Sequence, residues 1–215
     1  MKRLLDIDNP VIRFIIKIFD CMMLSVLWAV FSLPIITMGA SSTALYSAVY
    51  HNIRKDEGYL WKSFWTAFKD NFKRSTLAWL PMLAMILFLL YDAMALRLLI
   101  KNGNPLGRLF GVIVALLCVS AVWGTYLAAY CARFQGGVKD MLRYSFYLMM
   151  SHPLRSLAVI VAVLGALALI LVVPGLAVLL PAVAVWISSV FIEQVFLLHM
   201  RPEDAERTKD EELTK

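Results

Sequence analysis

The sequence predicts an all-α, polytopic membrane helix bundle of six spans, with five as the alternative, plus interfacial amphipathic helices. Three observations lead there. Of 215 residues, 61% are apolar and only 17% charged, and the mean hydropathy is +0.74; soluble domains lie nearer half apolar. The charges are clustered, and the runs between clusters have about the 20 residues needed to cross roughly 30 Å of hydrocarbon. The third observation is the placement of Lys and Arg. With six spans, the N-terminus, the loops 51–76 and 132–156 and the tail share one side and carry 18 of the 21 Lys and Arg. Only Arg97, Lys101 and Arg108 fall on the other side. With five spans the N-terminus changes sides and the split worsens to 14 against 7, so the positive-inside rule favours six with both termini cytoplasmic.

One transmembrane domain is expected over 1–200, with spans at about 12–33, 35–53, 76–96, 108–132, 155–173 and 176–199. Asn9-Pro10 is a helix start, with Asn9 as N-cap and Pro10 at the first helical position. The first span then runs to Leu33 and acts as an uncleaved anchor, because no small-residue cleavage site follows it. Pro34 to Gly39 must turn, since one helix from Pro10 to Arg54 would be about 65 Å long, twice the bilayer core. The next apolar stretch, Ile35–Tyr50, is short for a span. Its motif Ala44-Leu-Tyr46-Ser-Ala48-Val-Tyr50 returns as Gly124-Thr-Tyr126-Leu-Ala128-Ala-Tyr130, an internal repeat at an offset of 80 residues. The second copy ends a full span, so the first is expected to cross as well.

The segment 58–74 reads as a helix lying in the headgroup plane. At 100° per residue Trp61, Phe64, Trp65, Phe68 and Phe72 share about 100° of arc, beside a stripe of Lys62, Lys69 and Lys73. The alternative is a helix packed on the protein's own loops. A weaker amphipathic segment, 138–151, follows Gly136-Gly137, and Val173-Pro174-Gly175 with Pro181 frames an uncharged turn before the sixth span. Gly39, Ala40, Ala44 and Ala48, and likewise Gly124 and Ala128, are spaced to let helix backbones approach closely in lipid. The charged tail 201–215 reads as disordered and cytoplasmic.

Little in the sequence carries chemistry. Asp20, Asp92 and Glu193 are the ionisable groups within spans, and such groups count as functional candidates. Asp20 has Lys17 nearby and Asp92 has Arg97, which favours structural roles; Glu193 has no local cation before Arg201 and stays open as the second candidate intramembrane polar residue beside Asp92. His51, His152 and His199 fall at one membrane edge without a second ligand at i+3 or i+4, so no metal site is expected. Cys21, Cys118 and Cys131 read as buried reduced thiols. No catalytic motif, cofactor motif or nucleic-acid surface is present, and the basic residues flanking apolar runs imply anionic lipid headgroups as partner.

Asn9-Pro10, the run Ser32-Leu-Pro-Ile-Ile-Thr-Met-Gly-Ala-Ser-Ser-Thr-Ala-Leu-Tyr46, and Phe64 through Asn71-Phe72-Lys73 resemble the YesL-like family of bacterial integral membrane proteins of unknown function. The resemblance covers about the first eighty residues, and Met38 stands where the family pattern has an aliphatic residue. It implies a bacterial inner-membrane protein that assists carbohydrate uptake or its regulation, and it carries over no catalytic residue. Two functional classes follow: a non-enzymatic accessory or scaffold protein recruiting a transporter or sensor, or a small transporter with a site at the repeat interface near Tyr46, Tyr50, Tyr126, Tyr130 and Glu193. The accessory reading is preferred because the spans are poor in midplane polar groups.

Topology is open to a direct test. Reporter fusions at Arg54 and Gly137 should read cytoplasmic and a fusion at Gly103 external. External signals at Arg54 and Gly137 would sink the arrangement, while an external N-terminus alone would leave the five-span alternative.

Overall fold

The computed structural model describes residues 10–54, 59–101, 105–134 and 136–199. Among them are seven α-helices and no strand: α1 (Pro10–Ser32), α2 (Met38–Ala48), α3 (Leu60–Lys101), α4 (Phe110–Arg133), α5 (Val138–Ser151), α6 (Pro153–Val172) and α7 (Leu180–His199). Five of these, α1, α3, α4, α6 and α7, are long and apolar enough to cross a membrane. The expected N-cap at Asn9, the turn at Asn102–Asn104 and the tail 201–215 lie outside the described residues.

The α1–α2 hairpin forms where Pro34 removes an N–H donor and bars Leu33 from helical geometry. Carbonyls released there find partners inside the protein. Thr37 Oγ1 lies 2.8 Å from both the Phe31 and Pro34 oxygens, and Trp79 Nε1 of α3 donates to the Ile35 oxygen at 3.0 Å. Ser41 donates to the Trp28 carbonyl at 3.0 Å, and Trp28 Nε1 donates to Ser42 Oγ at 3.1 Å, which lays α2 against α1.

The expected second span is helical but is a core element. From Gly39 to Ile53 nearly every residue is buried, and the helix is enclosed by α1, α3, α4 and α7. With the π-helical turns Val49–Arg54 that continue it, α2 reaches about 25 Å, so by its own length it falls short of the other five. Its small residues explain the position. Ala40, Ala44 and Ala48 are fully buried, and at Gly39 a Cβ would lie 2.4 Å from Trp79 Cβ and 2.9 Å from the Ser75 carbonyl oxygen. The α2–α3 contact is the most extensive between any two elements.

The separate headgroup helix at 58–74 is corrected by the structure: Leu60–Arg74 is the first third of α3, a single 42-residue helix of about 63 Å. No Gly or Pro falls between 60 and 80 to break it, and Pro81, at a solvent- or lipid-facing position, is accommodated within it. Much of its aromatic face turns inward. Phe31 of α1 meets Phe64, Trp65 and Phe68 with ring centroids 5.8, 5.4 and 5.0 Å away, and Phe64 is fully buried. Trp61, Phe72, Lys62, Lys69 and Lys73 stay exposed, with Lys69 Nζ 4.8 Å from the Trp65 ring centroid. In the second half of the chain the corresponding break does occur, because Pro153 starts α6 directly after α5.

The chain then pairs α3 with α4. Gly107 sits against Ile100 at the turn, and Gly124 faces Met82 halfway down. α6 and α7 form the last hairpin around the uncharged Pro174–Val178 turn. One end of the bundle collects Arg54, Arg74, Arg133 and Arg155, and is called here the basic end; the opposite end holds Lys101 and the Pro174–Val178 turn.

The tight approach at Gly39 predicts a sharp contrast. Gly39→Val should lower stability by at least about 2 kcal/mol, since neither the Ser75 backbone nor the Trp79 Cβ can retreat cheaply. Gly111→Ala, where nothing lies within 4 Å, should be neutral or mildly stabilising. Thermal unfolding in detergent measures both.

Candidate intramembrane site

The site is assembled by three helices at the basic end. α2 supplies Tyr46, α4 supplies Arg133 as its last residue, and α7 supplies Glu193. Glu193 is only 4% exposed. Tyr46 Oη donates to Glu193 Oε1 at 2.9 Å, and Arg133 Nη2 lies 3.3 Å from Glu193 Oε2. The Arg133 guanidinium also sits 4.4 Å from the Tyr50 ring centroid, with Arg54 at 5.6 Å from the same ring. Arg54 Nη1 in turn donates to the Ser189 carbonyl at 3.1 Å. Two cations and one carboxylate therefore surround a tyrosine pair, and both carboxylate oxygens are engaged.

The π-helical turns Val49–Arg54 bring Tyr50 and Arg54 into this cluster, and irregular helical turns of that kind are concentrated at functional sites. Asn52 Nδ2 donates to the Ala48 carbonyl at 3.0 Å and its Oδ1 accepts from Ser63 of α3 at 3.3 Å, tying the segment down.

The two repeated motifs meet here. Tyr46 and Tyr126 belong to one buried cluster with Ile192, Val195 and Phe196 of α7. Tyr126 Oη lies 3.2 Å from Ser156 Oγ, which donates to the Met149 carbonyl at 2.6 Å. Tyr130 packs against Phe134 and Tyr144 with centroids 4.8 and 6.2 Å away.

Of the intramembrane polar candidates, Glu193 is in the site and Asp92 is not. Asp92 lies toward the opposite end of α3, part-exposed, with no hydrogen bond or ion pair among the described residues. The partner missed by sequence reasoning is Arg133, 60 positions from Glu193. The available signal was depth: α4 and α7 both end on the basic side, which sets Arg133 within two turns of Glu193's level. No group of three His, Cys, Asp or Glu side chains that could hold a metal occurs among the described residues.

A cavity of about 390 Å³ lies among α1, α2, α3, α4, α6 and α7, with Tyr46 and Ile192 in its lining. Tyr46 thus borders this space and also bonds the Glu193 carboxylate.

A family model described as a protein of unknown function, DUF624, matches residues 21–93, about a third of the chain. The matched stretch spans the second half of α1, all of α2 and most of α3, and includes the Ser32–Tyr46 run that resembles the YesL-like proteins. No curated protein and no solved structure matches the chain.

Breaking the ion pair from either side should cost more than removing it whole. Arg133→Ala leaves a buried carboxylate and should lower stability by about 3 kcal/mol, whereas Tyr46→Phe, losing one hydrogen bond, should cost about 1–2 kcal/mol. The double variant Arg133→Met with Glu193→Leu should be milder than Arg133→Ala. Unfolding midpoints of the set, measured in one detergent, check the order.

Proposed function

We propose that the protein is a non-enzymatic integral membrane accessory or scaffold protein of the bacterial inner membrane. Its termini are cytoplasmic, and it assists carbohydrate uptake or its regulation by holding a transporter or sensor. The observation that carries this reading is the mostly apolar lining of the cavity. Most of the residues that line it, among them Ile86, Ala121, Leu167, Ile170 and Pro181, have no hydrogen-bonding side chain. A sugar or ion crossing the bundle needs several such groups, because no water meets its polar atoms at lipid depth. At the basic end Glu193 is engaged by Arg133 and Tyr46, and Arg54 by the Ser189 carbonyl, which supports a role in fixing the helices rather than in passing cargo. Partner or headgroup contact is assigned to the exposed Trp61, Phe72 and lysines of α3 and to Tyr144 and Tyr147 of α5.

A second reading, a small transporter, is favoured by one observation: the cavity adjoins the Tyr46–Glu193 pair. Mild-detergent pull-down followed by mass spectrometry, run beside uptake assays with the purified chain in liposomes, separates the two. A stable co-purifying permease or sensor without uptake is the expected result. Substrate uptake by the chain alone, abolished by Glu193→Gln, would replace the accessory reading with the transport one.

A further inference from the structure

The cavity has an elongated shape, a mostly apolar lining and two unsatisfied hydroxyl groups. At about 390 Å³ it is more than twice the roughly 150 Å³ of an apolar protein cavity that holds benzene. It exists because the residues facing it are small: Ala121, Gly124 and Ala128 on α4, Ala166 on α6, and Ala184 and Ser188 on α7. Its lining on α7 runs from Pro181 to Ile192, about 16 Å at 1.5 Å per residue. An apolar space of that length suits a chain of methylenes better than a flat ring system.

Most of the hydroxyls that line the cavity are engaged. Thr43 donates to the Gly39 carbonyl, Tyr46 to Glu193 and Thr125 to the Val122 carbonyl, and Ser42 accepts from Trp28. Ser188 and Ser75 differ: they are 1% and 3% exposed, both line the cavity, and neither Oγ has a partner among the described residues, although the Ser189 beside Ser188 donates to the Trp186 carbonyl. Among the described residues no Lys, Arg, Asp or Glu lines the space, so a charged head is not provided for. Leu167 lines the cavity and is half-exposed, so it belongs to the outer surface as well.

We propose that this cavity binds a single-chain amphiphile with a neutral oxygen-bearing head, such as a long-chain alcohol. Its head hydrogen-bonds Ser188 and its chain extends toward Ile170 and Pro181. The proposal goes beyond the accessory reading and does not rest on it.

The test uses the full chain in phosphatidylcholine nanodiscs and hexadecanol carrying a mid-chain diazirine, with crosslinks mapped by mass spectrometry. The expected result is saturable labelling at Ile86, Ala121 or Ile170, displaced at least tenfold better by hexadecanol than by hexadecane. Ala184→Leu, which fills the space, should cut that labelling at least tenfold. Ser188→Ala, which removes one oxygen and should not disturb folding, should make the two competitors equal. In a parallel arm, phosphatidylcholine bearing the same diazirine chain should label the outward Leu87 and Phe88 and spare the cavity. Labelling that never saturates, that survives Ala184→Leu, that ignores Ser188→Ala, or that phosphatidylcholine reproduces in the cavity would overturn the proposal.

Discussion

A carbonyl released where a helix ends needs a new partner, and in this chain side chains of neighbouring segments supply it. The constraint first bites between Phe31 and Thr37. Pro34 ends α1, and the oxygens freed there are taken by the Thr37 hydroxyl and by the indole of Trp79. That indole can reach only because Gly39 lets α3 close onto α2. The same logic joins distant parts of the chain. Ser25 of α1 accepts the Ala182 N–H at the start of α7 at 3.0 Å and donates to the Leu179 carbonyl at 3.2 Å. It thereby serves a helix end that would otherwise have unpaired groups. The hairpin, the central place of α2 and the docking of α7 on α1 are thus consequences of one requirement.

The Glu193 cluster meets the requirement for a charge. Removing an acid and a base from water costs about as much as their attraction returns, so such a pair is weak evidence of net stability. What the pair does well is discriminate. Tyr46, Arg133 and Glu193 come from α2, α4 and α7, and sliding any one of those helices by a turn, about 5 Å, would leave a bare ion in an apolar interior. The tyrosine ring under two guanidinium groups adds cation–π attraction without a further charge to be balanced. The cluster therefore acts on register more than on depth of the energy minimum.

Much of this was legible in the sequence because hydrophobic length and charge placement are properties of short windows. Helices α1, α4 and α6 each cover one of the long apolar runs that stand between clusters of charge. The small residues of α2 also announced a helix that others approach closely. Two things were not legible. Amphipathicity reports that one face is apolar but not what covers it, so the aromatics of 61–72 fitted a lipid surface as well as they fitted Phe31 of α1. Pairing between Arg133 and Glu193 is a fact of tertiary depth, and no local window contains both. Ser188 was invisible for a related reason: in sequence it is one of two adjacent serines, and only the fold gives Ser189 a carbonyl and withholds one from Ser188.

Both halves of the chain set a helix with an amphipathic face before an apolar one, yet they join them differently. In the second half His152-Pro153 interrupts the backbone, and α5 is fastened instead by side chains: Trp123 Nε1 donates to Ser145 at 3.1 Å, and Ser156 donates to the Met149 carbonyl. In the first half nothing interrupts, so the residues that carry the exposed Trp61 and lysines are rigidly continuous with those that line the cavity at Ser75, Trp79, Met82 and Ile86. Pro81 removes one ladder hydrogen bond within that stretch and makes it the weakest point of the rod. A contact made on the amphipathic turns of α3 must therefore either move the cavity wall with them or bend the helix at Pro81. In the α5–α6 half, the same contact could be absorbed at the joint.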